Sequence, residues 1–290
     1  MIYLYLCLEV KMQELYKRLR DFKLSGMALT LEDRLSYARS KKLPYEEFLE
    51  LLCEDELDNR RDNNYKRRYS AAKLPANKKL EDFNFNFQKS IDEREINDAA
   101  SCQFIRDKHN LILIGDSGTG KTHLSIGIAL KALSKEYKVF FTTVSDMLYN
   151  LHIARADNSY HKKLQQLVSY DLLILDELGF KTLPKYSVDD FFNVVSKRYE
   201  NNSIIITTNK DYENWNHIFE DEELTKAITD RLRHHGKVIK ITGPSYRTKN
   251  QKSEVAACCC MNKKNKGYKS DKKSNRRVLL SKVMQFEERV

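Results

Sequence analysis

No stretch of this sequence is apolar for long enough to cross a bilayer. The N-terminal segment MIYLYLCLEV runs for about ten residues, where a span needs roughly 20. It also lacks a basic leader and a small-residue cleavage site, so it does not read as a secretory signal. Spaced cysteine pairs are missing too. Cys7, Cys53 and Cys102 are scattered, and Cys258, Cys259 and Cys260 are adjacent. That pattern gives neither a disulfide framework nor a C-x-x-C metal site, and points to a reducing cytoplasm. No internal repeat is visible. What remains is the composition of a soluble globular chain with polar appendages.

At 290 residues the chain can hold one full core and a small satellite domain. Its net charge of +10 points to an acidic partner such as nucleic acid. Residues 261–290 carry ten Lys and Arg against three Asp and Glu, leaving seven of those charges in the tail. The body is therefore only mildly basic. Met12 opens the helical pattern MQELYKRLRDFKL, which predicts a natural start there and an upstream extension over residues 1–11. Residues 12–75 read as a small all-helical domain: one helix to the break at Ser25–Met27, a second to about Ser40, and a third from Pro44 to Pro75. Phe83, Phe85 and Phe87 alternate in a connector, the signature of an extended segment with one apolar face. This connector and a first helix of the next module fill 76–110.

Strands are predicted at 111–114, 139–142, 172–175, 203–207 and 237–241, separated by helices at 122–134, 145–155, 161–169, 187–200 and 224–233. Such alternation predicts an α/β fold with a five-stranded parallel sheet over 111–248. Residues 249–290 read as a basic, disordered tail with a short helix near 277–286.

Gly115–Thr122 spells G-x-x-x-x-G-K-T between an apolar strand and a helix, a complete P-loop. In such a loop the backbone N–H groups of Gly115, Asp116, Ser117, Gly118, Thr119 and Gly120 face phosphate oxygens. Lys121 reaches the β/γ-phosphates, Thr122 ligates Mg²⁺, and His123 follows on the same helix turn. The strand LLILDE ends in Asp176, a candidate for the Mg²⁺ shell, and Glu177, placed to polarise a water for attack on the γ-phosphate. SIIITTN ends in Asn209, which can orient that water. Arg231 and Arg233 close a helix. Their residues leave two readings open: trans-acting stabilisation of a neighbour's γ-phosphate, or favourable placement at a helix C-terminus. His234 and His235 read as surface residues, and Trp215 as core. Arg60, Arg67 and Arg68 fall on one helix face with Tyr65 and Tyr69 interleaved. That face suits a phosphate backbone or simply solvent.

Together, GDSGTGKT, LLILDE, IIITTN and DRLRHHG resemble an AAA+ ATPase. LRDFKLSGMA, LEDFNFNFQKSID, GKTHLS, DELGF and AITDRLRHHGKVIKITGPSYR narrow the resemblance to the IstB family, helper ATPases of bacterial insertion sequences related to the DnaC helicase loaders. It spans residues 13–249. The resemblance implies that Arg231 is the trans-acting arginine finger and that Arg247 senses the γ-phosphate in cis. It further implies a homo-oligomer on double-stranded DNA, with ATP at subunit interfaces and a partner transposase. The helical N-terminal domain would serve DNA and partner contacts. Pro244 departs from the family's usual Glu, and the Lys-rich tail is a second departure. About 49 residues follow Ile241, too few for a sizeable helical lid, which predicts hydrolysis that depends on assembly. No carboxylate triad of a transposase is present. The expected function is therefore an ATP-dependent DNA-binding helper, with a DnaC-like helicase loader as the alternative. A P-loop kinase of a small metabolite is disfavoured by Glu177 beside Asp176 and by Asn209.

Overall fold

The computed structural model describes residues 2–180, 183 and 185–247, without the side chains of 2–9, 185 and 186. The expectations for the tail fall outside them. Two compact units divide the chain, Met1–Pro244 and Ser245–Val290. In the first, three helices lead: α1 (Ile2–Asp21), α2 (Ser25–Lys41) and α3 (Tyr45–Ala72). There follow α4 (Glu93–Ala100), α5 (Gln103–Arg106), β1 (Asn110–Gly115), α6 (Lys121–Ser134), β2 (Val139–Thr143), α7 (Val144–Ala156) and α8 (Tyr160–Val168). The unit closes with β3 (Leu172–Leu178), α9 (Lys185–Arg198), β4 (Ser203–Thr208), α10 (Asn216–Phe219), α11 (Glu222–His234) and β5 (Gly236–Ile241). All five predicted strands form. No described helix is long and apolar enough to cross a membrane.

The strands pair in parallel in the order β2-β3-β4-β1-β5. Their apolar runs fit a sheet covered on both faces. Leu111, Leu113, Leu172 and Ile174 point to one core with α4, α5 and α6. Ile112, Ile114, Leu173 and Leu175 point to the other with α7, α8, α9 and α11. Trp215 is fully buried in this second core. The chain visits β4 after β3 yet inserts it between β3 and β1, pairing Ile205 with both Leu111 and Ile174. The end of β4 is thereby set between the ends of the P-loop strand and the Asp-Glu strand. Arg198, the last residue of α9, is buried and donates to the carbonyls of Leu167, Tyr170 and Ser203 at 2.7, 2.9 and 2.6 Å. Burial pulls its guanidinium down to about 9.

The N-terminal helices are joined to the sheet through α3. At 28 residues, α3 is about 42 Å long. Tyr65, Tyr69 and Ala72 at its far end pack into the first core, while its near half holds α2. There Glu56, 4% exposed, accepts the N–H groups of Gly26 and Met27 at 2.6 and 3.3 Å. A carboxylate at a helix N-terminus satisfies orphan donors and complements the dipole. Burial pushes the Glu56 carboxyl up, but Arg60 and these two N–H groups outweigh it, and the net shift is downward. Gly26 is required by contact: a Cβ there would lie 2.6 Å from Glu56 Cα and 2.7 Å from the Asp55 carbonyl oxygen. Arg34 forks onto Asp55 at 2.7 and 2.8 Å. Leu29, Tyr45, Leu49 and Leu57 are exposed on these helices, and Phe22 is exposed just after α1. The first helix begins at Ile2 and runs through Met12 without a break.

The connector keeps its alternation, with Phe83, Phe85 and Phe87 half-buried and Asp82, Asn84 and Asn86 exposed. It is not extended throughout. A 3-10 turn at Leu80–Asp82 opens it, and Phe87 N–H turns back to the Asn84 carbonyl at 3.1 Å.

Candidate nucleotide site

The loop after β1 is shaped by three glycines. A Cβ on Gly115 would meet the Ile241 carbonyl oxygen at 2.4 Å, so only glycine lets β1 turn off beside β5. Gly118 and Gly120 take φ of 82° and 103°, the region where side chains are strained. Asp116 and Ser117 are exposed, and buried Thr119 donates its hydroxyl to the Asp116 carbonyl at 2.8 Å. Helix α6 begins at once with Lys121, aiming its N-terminal N–H groups into the loop. Lys121 Nζ donates to the carbonyls of Gly115 and Asp116 at 2.7 and 2.8 Å, which folds the ammonium under the loop. His123 turns away: its Nε2 lies 2.7 Å from the Lys79 carbonyl oxygen, and its ring meets Phe83 edge-on at 5.4 Å. Phe83 also lies against Gly120, where a Cβ would meet its ring at 2.5 Å. The connector thus rests on the P-loop, a contact that the phenylalanine alternation hinted at without locating.

Thr122 and Asp176 meet directly. The hydroxyl lies 3.0 and 3.1 Å from the two carboxylate oxygens. Asp176 is buried and also accepts the Thr207 hydroxyl. Thr207 in turn accepts the Glu177 backbone N–H at 3.0 Å. A bulge makes this possible. Between Leu175 and Leu178, β3 has one more residue than β4 opposite it, and Glu177 takes a left-handed φ of 65°. Asp176 therefore faces inward while Glu177 stands exposed beside it. The sequence reading passed over Thr207; its position two before Asn209, at the end of a buried strand, was the available signal.

Asn209 sits at the end of β4 against Gly179, and its Oδ1 is buried with no hydrogen-bond partner among the described residues. A buried amide oxygen without a partner calls for a donor such as an ordered water. Arg231 is elsewhere. Helix α11 ends where β5 begins, at the end of the sheet opposite the P-loop, and Arg231 is folded onto its own helix. Its Nη1 donates to Ala227 O at 2.8 Å, and its guanidinium lies 5.0 Å from the Phe192 ring centroid. Arg247 is exposed and belongs to the second unit.

The three candidate arginines of α3 are not one open face. Arg60 pairs with Glu56 at 2.7 Å, half-buried Arg68 reaches Glu136 at 3.4 Å, and exposed Arg67 contacts Asn64 at 3.3 Å. Tyr65 and Tyr69 face the core.

A parallel sheet with a P-loop after β1, an Asp-Glu pair near the end of β3 and a polar strand end inserted between them defines an AAA+ type P-loop fold. One solved structure of similar fold is a DNA replication initiation factor, at a TM-score of 0.52 and 19% identity, covering 64% of this chain and 56% of that one. The family model of IstB-like ATP binding proteins matches residues 17–254, and the chain belongs to that family. It is 36% identical over 83% of its length to the ATP-binding protein of insertion sequence IS21 from Pseudomonas aeruginosa, covering 91% of that protein. It is 35% identical to the counterpart in IS232 from Bacillus thuringiensis, covering 97%.

Proposed function

We propose that this protein is an ATPase that assembles on duplex DNA as a homo-oligomer and stimulates or targets a partner transposase, hydrolysis controlling the assembly. The observation that carries the hydrolytic part is the relay Thr122–Asp176–Thr207–Glu177, which fixes an inward carboxylate and an exposed one side by side. Thr122 and Asp176 offer two hard oxygen donors on adjoining elements, a donor set that fits Mg²⁺. Held there, the ion would supply neutralisation of phosphate charge. Lys121 swings from the loop carbonyls to the phosphates. Glu177 accepts a proton from the attacking water, and Asn209 Oδ1 holds that water in line. Arg231, remote from this chain's own P-loop, serves a neighbouring subunit, so turnover requires assembly.

The insertion-sequence relatives support the transposition reading. DNA contact is assigned to the helical region, through exposed Arg67 and through Arg60 and Arg68, which contribute only by exchanging their carboxylates for phosphate. The exposed apolar residues of α1–α3 suit a protein partner.

The test is complex mass with a long duplex or a single strand, in ATP, ADP or neither. Large complexes on duplex that need ATP, fail in Lys121→Ala and persist in Glu177→Gln support the proposal. Assembly confined to single strands would replace it with a helicase loader. A monomer that hydrolyses ATP at full rate would remove the trans role of Arg231.

A further inference from the structure

We propose that Glu200, His234 and His235 form a binding site for a divalent transition metal of the zinc class. One ligand atom from each residue lies within 4.8 Å of the other two. The three come from two segments that the sequence separates by more than thirty residues: the turn after α9, and the end of α11. His235 Nε2 is already 3.7 Å from Glu200 Oε1. Ligands at about 2.1 Å from a tetrahedral ion stand roughly 3.4 Å apart, so the cluster needs only small side-chain shifts to close.

Its surroundings hold the rings in place. The Tyr199 hydroxyl lies 2.8 Å from His234 Nδ1 and also faces Glu200; with Nε2 as the His234 ligand atom, it supplies the outer hydrogen bond that metal-binding imidazoles use. His109 stacks flat on His235, with centroids 5.2 Å apart and an interplanar angle of 0°. The His235 carbonyl accepts the Asn110 N–H at 2.7 Å, anchoring its backbone to the start of β1. Buried Arg198 fixes the end of α9 two residues before Glu200.

The donor set selects the metal. Two imidazoles and one carboxylate suit Zn²⁺, Co²⁺ or Ni²⁺, whereas Mg²⁺ and Ca²⁺ ask for oxygen shells. Three protein ligands leave a fourth position for water. The site is distinct from Thr122 and Asp176. It lies at the beginning of β1, and they lie at the strand ends, about 20 Å further on. An ion here fastens α9 to α11 beside the cleft lined by Ser196, Tyr199, Asp230, Arg231 and His234.

The test is titration of the tag-free full chain with Co²⁺, read by visible absorption, and with Zn²⁺, read by calorimetry. A parallel background carries Cys258, Cys259 and Cys260 as Ser, because adjacent thiols bind the same metals. The expected result is one equivalent bound in both backgrounds, with tetrahedral cobalt bands and no thiolate charge-transfer band. Glu200→Gln and His235→Ala should abolish the bands, and Tyr199→Phe should weaken binding roughly tenfold. Glu200 is exposed, so Glu200→Gln stays folded and remains informative if a histidine variant does not. Absence of binding, binding that disappears with the three cysteines, or binding indifferent to Glu200→Gln would overturn the proposal.

Discussion

Replacing Thr207 by Val keeps the shape of the side chain and removes only its hydroxyl. Two bonds go with it: the one donated to Asp176 and the one accepted from the Glu177 N–H. Thr207 is 1% exposed, so water cannot readily take its place. A hydrogen bond to a charged group contributes about 1.5–3 kcal/mol, and a buried donor left unpaired costs about 1–3 kcal/mol. Asp176 keeps Thr122 as a partner, which puts the combined loss of stability near the lower half of that sum, about 3 kcal/mol. The catalytic effect is separate. The bulge that holds Glu177 at positive φ loses its only side-chain anchor among the described residues, and a displacement of about 1 Å costs roughly a hundredfold in rate. In the assembled, DNA-bound state we expect kcat of Thr207→Val to fall about a hundredfold with little change in KM for ATP. Thr207→Ser should restore kcat to within a few-fold. Urea unfolding gives the stability and steady-state phosphate release gives the rate. A folded Thr207→Val with normal kcat, measured beside an inactive Glu177→Gln, would refute the relay.

Other consequences are as direct. Gly26→Ala drives a Cβ into the α3 backbone and should lower stability by about 1–3 kcal/mol, read from the urea midpoint. Asp55 is held below the usual carboxylate range chiefly by Arg34, against the opposing effect of burial, with Thr30 helping; Glu56 is also lowered. Carboxyls depressed on folding stabilise above the unfolded pKa of about 4 and lose that contribution as pH falls through their lower folded values. Stability should therefore drop steeply with acidification below about pH 4, and less steeply in Asp55→Asn, as urea titrations at successive pH values will measure. Arg231→Ala and Glu177→Gln should each lack turnover alone, yet recover part of it when mixed, because an intact finger then faces an intact site. No recovery on mixing would place the arginine's role within its own chain.

The sheet was legible because each strand is a short apolar run bounded by polar residues, and every predicted strand formed within a few residues. The P-loop was legible because its chemistry is local: three glycines, a lysine and a threonine in eight positions. What could not be read depended on partners distant in the chain. The Asp176–Glu177 bulge arises from pairing with β4, and Thr207 acquires its place only because β4 inserts beside β3. Glu56 looks like a solvated helix residue until α2 folds its first turn onto it. The basic stripe on α3 fails as a stripe for the same reason: Arg60 and Arg68 meet carboxylates from other turns and segments. His234 and His235 read as surface residues, and they come to face Glu200 only through the packing of α11 on α9.

Because α3 is continuous from the hairpin it shares with α2 to the tyrosines seated in the sheet's first core, no hinge separates the two ends. It acts as a stiff beam. A tilt of 10° about its seated end would carry the far tip roughly 7 Å over its length of about 42 Å. Whatever grips the hairpin therefore pulls on the same body that holds the phosphate loop, and a small rearrangement at that loop is written out as a much larger stroke at the tip.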